Sequence, residues 1–527
     1  ISPISYMGNR VQNSIFLVPT DENEIKKLMM SLKISAPGWD DITAKVMKQS
    51  YVHLLSPLVY VCNLSIAQGV FPTELKVAKV VPIYKGDSKS VLSNYRPISV
   101  LPLFSKILER LLYNRILSFI NKNNILYKLQ FGFRENYSTN AALIVLIDKI
   151  SSALNNGDTV LGVFLDFSKA FDCVNHSILL KKLEHYGIRG VALEWFHSYL
   201  NSREQYVCYN GTLSSYQNIT CGVPQGSILG PLLFLLYIND IANVSPVLYL
   251  IIFADDTNVF LSGKSTTELI KQMNLELGKL VIWLEVNKLK LNTKKTQFII
   301  FSPTKQKVND KLYIKNDEIK QVDHTKFLGV IIDSKLNWDF HINYIKQKIA
   351  KSIGILSKAR KYLNKTCLIT LYYSFLYPLF TYCIEVWGSA CSTRITALFK
   401  LQKKSVRIIT SSPYRDPSGP LFEKLKILPL HKIYVLRTTT FMFKCYHHLL
   451  PIIFDNMFIR NEEVHNYQTR FKTHLRVPAA KLLCLRQSVR VKGVYWWNYF
   501  HDKLNINCSL NVFKQSIRKY LAYHPIM

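Results

Sequence analysis

The sequence predicts a mixed α/β (α+β) protein, and three observations carry that prediction. Short β-branched and apolar runs at residues 77–84, 160–165 and 249–261 are bounded by turn formers. Between them lie stretches whose apolar residues recur at three- and four-residue spacing, the period of an amphipathic helix. Beyond residue 339 the strands give way to helices with one apolar and one basic face. With 48% hydrophobic residues in 527, the chain has ample material for a core and length for several domains.

Residues 21–49 read as a helix with Ile25, Leu28, Met29 and Leu32 on one face, a break at Ala36-Pro37-Gly38, and a second helix near 42–47. A third helix covers 52–68 and leads into the first strand, 77–84. Lys85-Gly86-Asp87 is a turn and Asn94-Tyr95-Arg96-Pro97-Ile98 follows, so Lys85 and Arg96 flank one loop, where two cations either hold a triphosphate or stay solvated. An amphipathic helix over 103–120 turns Ile107, Leu111 and Leu112 inward. Gln130-Phe131-Gly132-Phe133-Arg134 is an aromatic and basic loop before a helix over 139–154; its rings either stack on bases or belong to the core.

The strand 160–165 ends at Asp166, and the chain then turns into a helix running through Leu183, with Asp172 as a helix-start residue. Cys221-Gly222-Val223-Pro224-Gln225-Gly226-Ser227 opens an apolar helix over 232–241. Its glycines admit a ligand close to the backbone, and Gln225 can hydrogen-bond a base or sugar edge. A helix over 266–283 precedes a loop and strand over 288–301, with Lys294 and Lys295 at the strand's entry, and residues 327–332 form a further short strand. Ile342, Ile345, Ile349, Ile353 and Leu356 mark the core face of a long helix whose other face carries Lys346, Lys348, Lys351 and Lys358. More basic helices follow near 398–409 and 513–521.

Charge narrows the function. Lys and Arg number 67 against 35 Asp and Glu, a net +32, which points to a polyanionic partner with nucleic acid ahead of membrane lipid. Residues 340–527 hold 30 of the basic residues and only 7 acids, so the acids concentrate in the first part of the chain. The ten cysteines show no CxxC pair and no zinc-finger spacing, which fits free thiols in a reducing compartment. The longest apolar stretch, 228–238, is too short to span a bilayer and contains Gly230 and Pro231. Ile1 in place of an initiator methionine suggests a piece of a longer reading frame.

Within that acidic part, residues 249–261 read as a hairpin: strand to Ala254, a join at Asp255-Asp256-Thr257-Asn258, and strand again to Leu261. On its own an Asp-Asp pair is satisfied as a surface turn. A third carboxylate, Asp166, stands at the end of another apolar strand about ninety residues earlier. If the two strands are neighbours, three carboxylates meet at one sheet edge. Like charges so close do not all stay ionised without a cation, so convergence implies bound Mg²⁺, with Mn²⁺ as the alternative.

Six motifs then occur in an order that resembles the reverse transcriptases of non-LTR (LINE-type) retrotransposons, most nearly the jockey-type elements of arthropods. They are Asn94-Tyr95-Arg96-Pro97-Ile98-Ser99, Gln130 to Arg134, Phe164-Leu165-Asp166-Phe167-Ser168-Lys169-Ala170-Phe171-Asp172, Gly222 to Ser227, Phe253-Ala254-Asp255-Asp256 and Phe327-Leu328-Gly329-Val330. The resemblance implies a right-hand polymerase with fingers, a ferredoxin-like palm and a helical thumb. It divides the chain into a helical extension (1–62), the reverse transcriptase domain (63–333), the thumb (334–410) and a basic C-terminal region (411–527). It implies that Asp166, Asp255, Asp256 and the carbonyl of Phe167 hold two Mg²⁺ ions, with Lys295 donating a proton to pyrophosphate. Lys85 and Arg96 would bind the triphosphate, Phe171 would exclude a 2′ hydroxyl, and Gln225 and Gly226 would lie near nucleotide and template. Phe327, Leu328 and Gly329 would form the primer grip, while Lys346, Lys348 and Lys351 are assigned to the template-primer duplex.

The implied partners are template RNA, a DNA primer or target DNA and dNTPs, in a ribonucleoprotein shared between nucleus and cytoplasm with no membrane partner. Neither the endonuclease that commonly precedes such polymerases nor the cysteine-rich knuckle of some relatives has a counterpart here. The 7 acids after residue 339 argue against an RNase H fold. Two other readings stay open: an RNA-dependent RNA polymerase, against which Phe171 speaks, and a catalytically silent nucleic-acid-binding relic.

Overall fold

A computed structural model describes residues 2–86, 88–304, 310–464 and 471–524. Asp87, expected in the first turn, lies outside the described residues. The N-terminal helices are α1 (Glu22–Ser31), α2 (Ala44–Gln49) and α3 (Tyr51–Gln68). β1 (Val77–Tyr84), β2 (Tyr95–Val100), α4 (Leu103–Lys122), α5 (Thr139–Asn155), β3 (Thr159–Leu165), α6 (His176–His185) and α7 (Val191–Leu200) follow. Next come β4 (Arg203–Tyr209), β5 (Thr212–Leu213), β6 (Gln217–Ile219), α8 (Leu229–Ile238), β7 (Tyr249–Phe253), β8 (Asp256–Gly263) and α9 (Thr266–Val286). β9 (Gln297–Phe301), β10 (Leu312–Ile314), β11 (Asp317–Gln321), β12 (His324–Phe327) and β13 (Val330–Asp333) end the strand-bearing part.

From there on the regular structure is mainly helical, as the change of texture predicts, apart from a segment between Phe454 and Leu483 whose described residues are largely irregular. α10 (Asp339–Ala359), α11 (Lys365–Leu371), α12 (Tyr377–Thr381), α13 (Ile384–Trp387) and α14 (Ser392–Thr410) lead to α15 (Ser418–Leu425) and α16 (Leu430–Tyr446). α17 (Leu483–Arg486), α18 (Val494–His501) and α19 (Leu510–Tyr523) complete the chain. No helix is long and apolar enough to cross a membrane among the described residues.

The central sheet has the order β10-β11-β9-β3-β8-β7. β3 is buried along its whole length because both faces of the sheet are covered, which is why its sequence reads as an unbroken apolar run. Leu161, Val163 and Leu165 face a core shared with α4, α6, α8 and α9, while Val160 and Phe164 face a second core with α5, α10 and the C-terminal helices. Gly162 is required between them: a Cβ there would meet the Phe260 ring at 2.6 Å. A second sheet, β2-β1-β4-β5 with β6 on β4, makes a separate layer.

The sequence reading needs correction at the strand joins. Residues 327–332 are not one strand; β12 and β13 pair as an antiparallel hairpin, and Leu328 and Gly329 turn it with φ of 46° and 82°. β4 to β6 and β10 to β11 are additional strands: β5, β6 and β11 are short and mostly exposed, β10 alternates but over only three residues, and the polar start of β4 hides it, so none shows a long apolar alternation.

Candidate active site

The acidic hairpin turns one residue earlier than its composition predicts. Phe253 pairs with Asp256 across the turn, so Ala254 and Asp255 are the turn residues, with Ala254 at φ 58°, while Asp256, Thr257 and Asn258 already belong to β8. The polar character of Thr257 and Asn258 disguises this, since both are buried in the sheet. β3 runs antiparallel to β8 in the register Phe164↔Asn258 and Leu165↔Thr257. Asp166, the next residue, therefore emerges beside Asp256, at the edge where Asp255 caps the hairpin.

Electrostatics agree with that register. Asp255 is held above the usual carboxylate range by burial and by the charge of Asp166, with Arg96 pulling the other way. Asp256, open to solvent on one side, is pushed up to about 6 by desolvation against the hairpin and by the charges of Asp255 and Asp166. Among the described residues no Lys or Arg forms an ion pair with any of the three. Converging carboxylate oxygens with uncompensated charge are the donor set of a hard divalent cation.

The backbone after Asp166 is fixed from the side. The Ser168 amide donates to the Lys290 carbonyl at 2.9 Å and the Asn292 amide to the Asp166 carbonyl at 2.8 Å, with Phe167 bridged to Leu291 between them. Lys294 and Lys295 are exposed in the turn that follows, and Thr296 beside them is buried, its hydroxyl 3.5 Å from the Asp166 amide. Arg96 lies opposite Ile83 in the β1–β2 ribbon, and the Lys85 amide donates to the Asn94 carbonyl at 2.8 Å, so both cations end one exposed ribbon. The charge of Arg96 acts on Asp255.

The Gly222 to Ser227 loop lies along the segment after Asp166. Val223 donates to the Phe171 carbonyl at 3.0 Å and Gly222 to the Val174 carbonyl at 2.8 Å, while His176 Nε2 contacts the Gly222 carbonyl at 2.8 Å. Asp172 is not the helix-start residue: Asn175 caps α6, and the Asp172 carboxylate instead accepts from the Gln225 side-chain amide at 2.7 Å. That bond engages the Gln225 amide within the protein, and Gly226 presses on the Ser99 carbonyl, where a Cβ would come within 2.3 Å. The Phe171 ring stacks on Phe234 at 4.2 Å and meets Phe133 edge-on at 6.0 Å, so its position is set by packing.

Two supporting residues escape sequence reasoning. Glu109, fully buried on α4, accepts from the Ile228 and Leu229 amides at 2.7 and 3.1 Å and from the Ser105 hydroxyl at 3.0 Å, seating the start of α8 and the loop before it. Burial raises its carboxyl above the usual range, against the opposing charge of Arg203. Gln130 is also buried, and its side-chain oxygen accepts from the Gly132 amide at 2.8 Å and the Ala254 amide at 3.0 Å. Phe131 donates to the Ile252 carbonyl and Ile252 to the Leu129 carbonyl, so residues 129–132 are clamped to the acidic turn.

Of the two readings left open for the rings of Gln130 to Arg134, Phe131 takes the core one, while Phe133 stays half exposed. The Arg134 guanidinium is held by the Tyr127 and Gln130 carbonyls over the Tyr137 ring. Only the glycine hinted at close packing: a Cβ on Gly132 would lie 2.2 Å from the Ala254 nitrogen. In the β12–β13 hairpin, Phe327 packs on Phe164 at 6.1 Å, and Tyr382 donates to the Leu328 carbonyl at 2.7 Å. Lys346, Lys348 and Lys351 project from the exposed face of α10, with Lys348 over the Tyr344 ring at 4.5 Å.

Comparison with known proteins decides what this architecture is. Residues 83–332 match the reverse transcriptase (RNA-dependent DNA polymerase) family. The chain carries a reverse transcriptase domain. It is 29% identical over 440 residues to the RNA-directed DNA polymerase from mobile element jockey of Drosophila melanogaster, covering 80% of this chain and 47% of that protein. The probable RNA-directed DNA polymerase from transposon X-element of the same fly is 28% identical over 431 residues, again 80% and 47%. A third, from transposon BS, is 28% identical over 77% of this chain and 46% of its own length. The chain thus spans about half the length of these relatives. The reverse transcriptase domain includes β2 to β12 and, with them, all three clustered aspartates. Enzymes of this family are nucleotidyltransferases that use divalent metal ions.

Proposed function

We propose that the chain is the RNA-directed DNA polymerase of a non-LTR retrotransposon, copying its element's RNA into DNA from a DNA 3′ end. The single observation that carries the reading is the register that sets Asp166 beside Asp256 at the tip capped by Asp255. Asp166, Asp255, Asp256 and the carbonyl of Phe167 would hold two Mg²⁺ ions, or Mn²⁺ in their place. Bound there, such ions acidify the primer 3′ hydroxyl and neutralise the triphosphate and leaving pyrophosphate. Arg96, with Lys85 on the same ribbon, draws the triphosphate toward the acidic edge, and Lys295 stands near enough in sequence to Asp166's partners to protonate pyrophosphate.

Phe171, braced by Phe234, presents a fixed wall where a ribose 2′ hydroxyl would intrude, which favours DNA over RNA synthesis. The Gln225-Gly226 loop contributes backbone and small volume next to the nucleotide. Phe327, Leu328 and Gly329 position the primer, and the basic face of α10 follows the duplex. The domains assigned from the sequence, 1–62, 63–333, 334–410 and 411–527, then act as extension, polymerase, thumb and basic support in a ribonucleoprotein of nucleus and cytoplasm.

Primer extension on an RNA template with dNTPs and Mg²⁺ tests the proposal. Full-length product is expected from the intact chain and none from Asp255→Asn, with RNA binding retained in both. Folded, soluble protein that binds RNA yet never extends a primer would instead identify a silent binding protein.

A further inference from the structure

Outside the residues matched by the reverse transcriptase family, the C-terminal region brings together two imidazoles and a carboxylate. His474 Nε2 lies 2.8 Å from Asp502 Oδ1 and His501 Nδ1 lies 3.2 Å from the same oxygen, while the donor atoms of all three residues fall within 4.8 Å of one another. The two histidine side chains are 12% and 14% exposed, and Asp502 is 54% exposed, which leaves one side open to solvent. A tetrahedral Zn²⁺ with legs of about 2.0–2.1 Å has donor-to-donor edges of about 3.3 Å. Two edges of the triad are already near that length, and a tilt of one ring closes the third.

The surroundings favour a cation that staples the chain. Between residues 455 and 482 the longest regular element among the described residues is a three-residue turn of 3₁₀ helix, and Leu475 is the one buried hydrophobic residue. The described part of that stretch has almost no core of its own. His474 is nevertheless pinned to α18, because Asn498 exchanges two hydrogen bonds with Leu475, at 3.0 and 2.8 Å, and the Asn461 amide holds the His474 carbonyl at 3.0 Å. His501 and Asp502 are the last residue and the C-cap of α18, where the helix dipole favours positive charge. Two imidazole nitrogens with one carboxylate suit zinc, whereas Mg²⁺ prefers an all-oxygen site.

We propose that His474, His501 and Asp502 form a structural Zn²⁺ site that ties the 471–475 segment to the end of α18, with water or an external donor in the fourth position. The proposal stands apart from the polymerase reading, since none of its residues touches the acidic hairpin. Nothing in the sequence announces it: the first histidine is separated from the His-Asp pair by 26 residues, without any cysteine partner.

Chelator-dialysed full-length chain, held in excess Mg²⁺ to occupy the carboxylate site, is titrated with Co²⁺ and then Zn²⁺. A tetrahedral cobalt absorption without a thiolate charge-transfer band is expected, displaced by one equivalent of Zn²⁺. Zn²⁺ should also slow amide exchange in residues 471–475 and 498–502. Asp502→Asn keeps the hydrogen-bond acceptor and should leave metal-free melting unchanged while weakening Zn²⁺ by more than about tenfold; His474→Gln should do the same. No tetrahedral signal, a signal with thiolate character, or a zinc affinity in both variants equal to that of the unsubstituted chain would overturn the proposal and leave a triad held by hydrogen bonds alone.

Discussion

At the scale of single residues, the acidic turn depends on a neutral side chain as much as on its carboxylates. Gln130 satisfies two buried amides, one of them at Ala254, directly before Asp255. Gln130→Leu orphans both, which costs on the order of 2 kcal/mol and loosens the turn. We expect primer extension to fall at least about tenfold with template affinity unchanged, measured as product formation beside RNA binding by anisotropy. Phe171→Ala should act differently, because it removes a wall and leaves the acids in place: ribonucleotide incorporation should rise relative to deoxynucleotide in single-nucleotide extension. If discrimination is unaltered, Phe171 is a packing residue and no more. The aspartates were legible because charge at the end of an apolar run is rare and has few uses. Gln130 was not, since a glutamine that buries its amide has the same letter as one that solvates it. Asp172 misled for a related reason, looking like a helix cap while its partner, Gln225, lay 53 residues away.

At the scale of elements, the long apolar strands and amphipathic helices were legible from period alone, and the short joins were not. The β12–β13 hairpin is one such join, and it leans on α10 through His341 near that helix's start. The Ile331 amide donates to His341 Nδ1 at 3.2 Å, which requires that nitrogen unprotonated. Burial, aided by the charge of Lys326, pushes the imidazole down to about 4. The unfolded chain takes up this proton below about 6.5 and the folded chain refuses it until about 4. Stability is therefore whole above about 6.5, drains away as pH falls to about 4, and has lost roughly 3 kcal/mol from this group by then. Thermal melts at pH 7.5 and pH 5 should show the loss, and His341→Gln, which keeps an acceptor for Ile331 but does not titrate, should shrink it. An identical acid slope in the variant would assign the effect to other groups.

At the scale of the whole molecule, charge asymmetry points to a face for nucleic acid but says nothing of how the basic half is built. α10 to α19 share one core with α5 and one face of the central sheet, so the C-terminal region packs beneath the polymerase domain as part of the same body. Arg490 pairs with the half-buried Asp148 at 2.8 Å, and Asn155 accepts the Lys481 and Leu482 amides at 2.7 and 3.2 Å, all on the α5 side. Charge reversal at Lys346, Lys348 and Lys351 should leave this core intact while lowering affinity for a template-primer duplex. The slope of log affinity against log salt should flatten by up to about three, as three phosphate contacts are lost. Removing residues 411–527 should do the opposite kind of damage. Gln402, fully buried on α14, donates to the Leu428 carbonyl at 3.0 Å and accepts the Leu430 amide at 2.8 Å, and Phe422, Ile433, Phe443 and Trp497 fill the space beyond it. A chain ending at Thr410 therefore exposes an apolar face and strands a buried amide, and it is expected to aggregate on expression where the intact chain stays soluble. A soluble, cooperatively melting 1–410 fragment with RNA affinity near that of the intact chain would show that the C-terminal region is an appendage, and that α10 to α14 close their core without it.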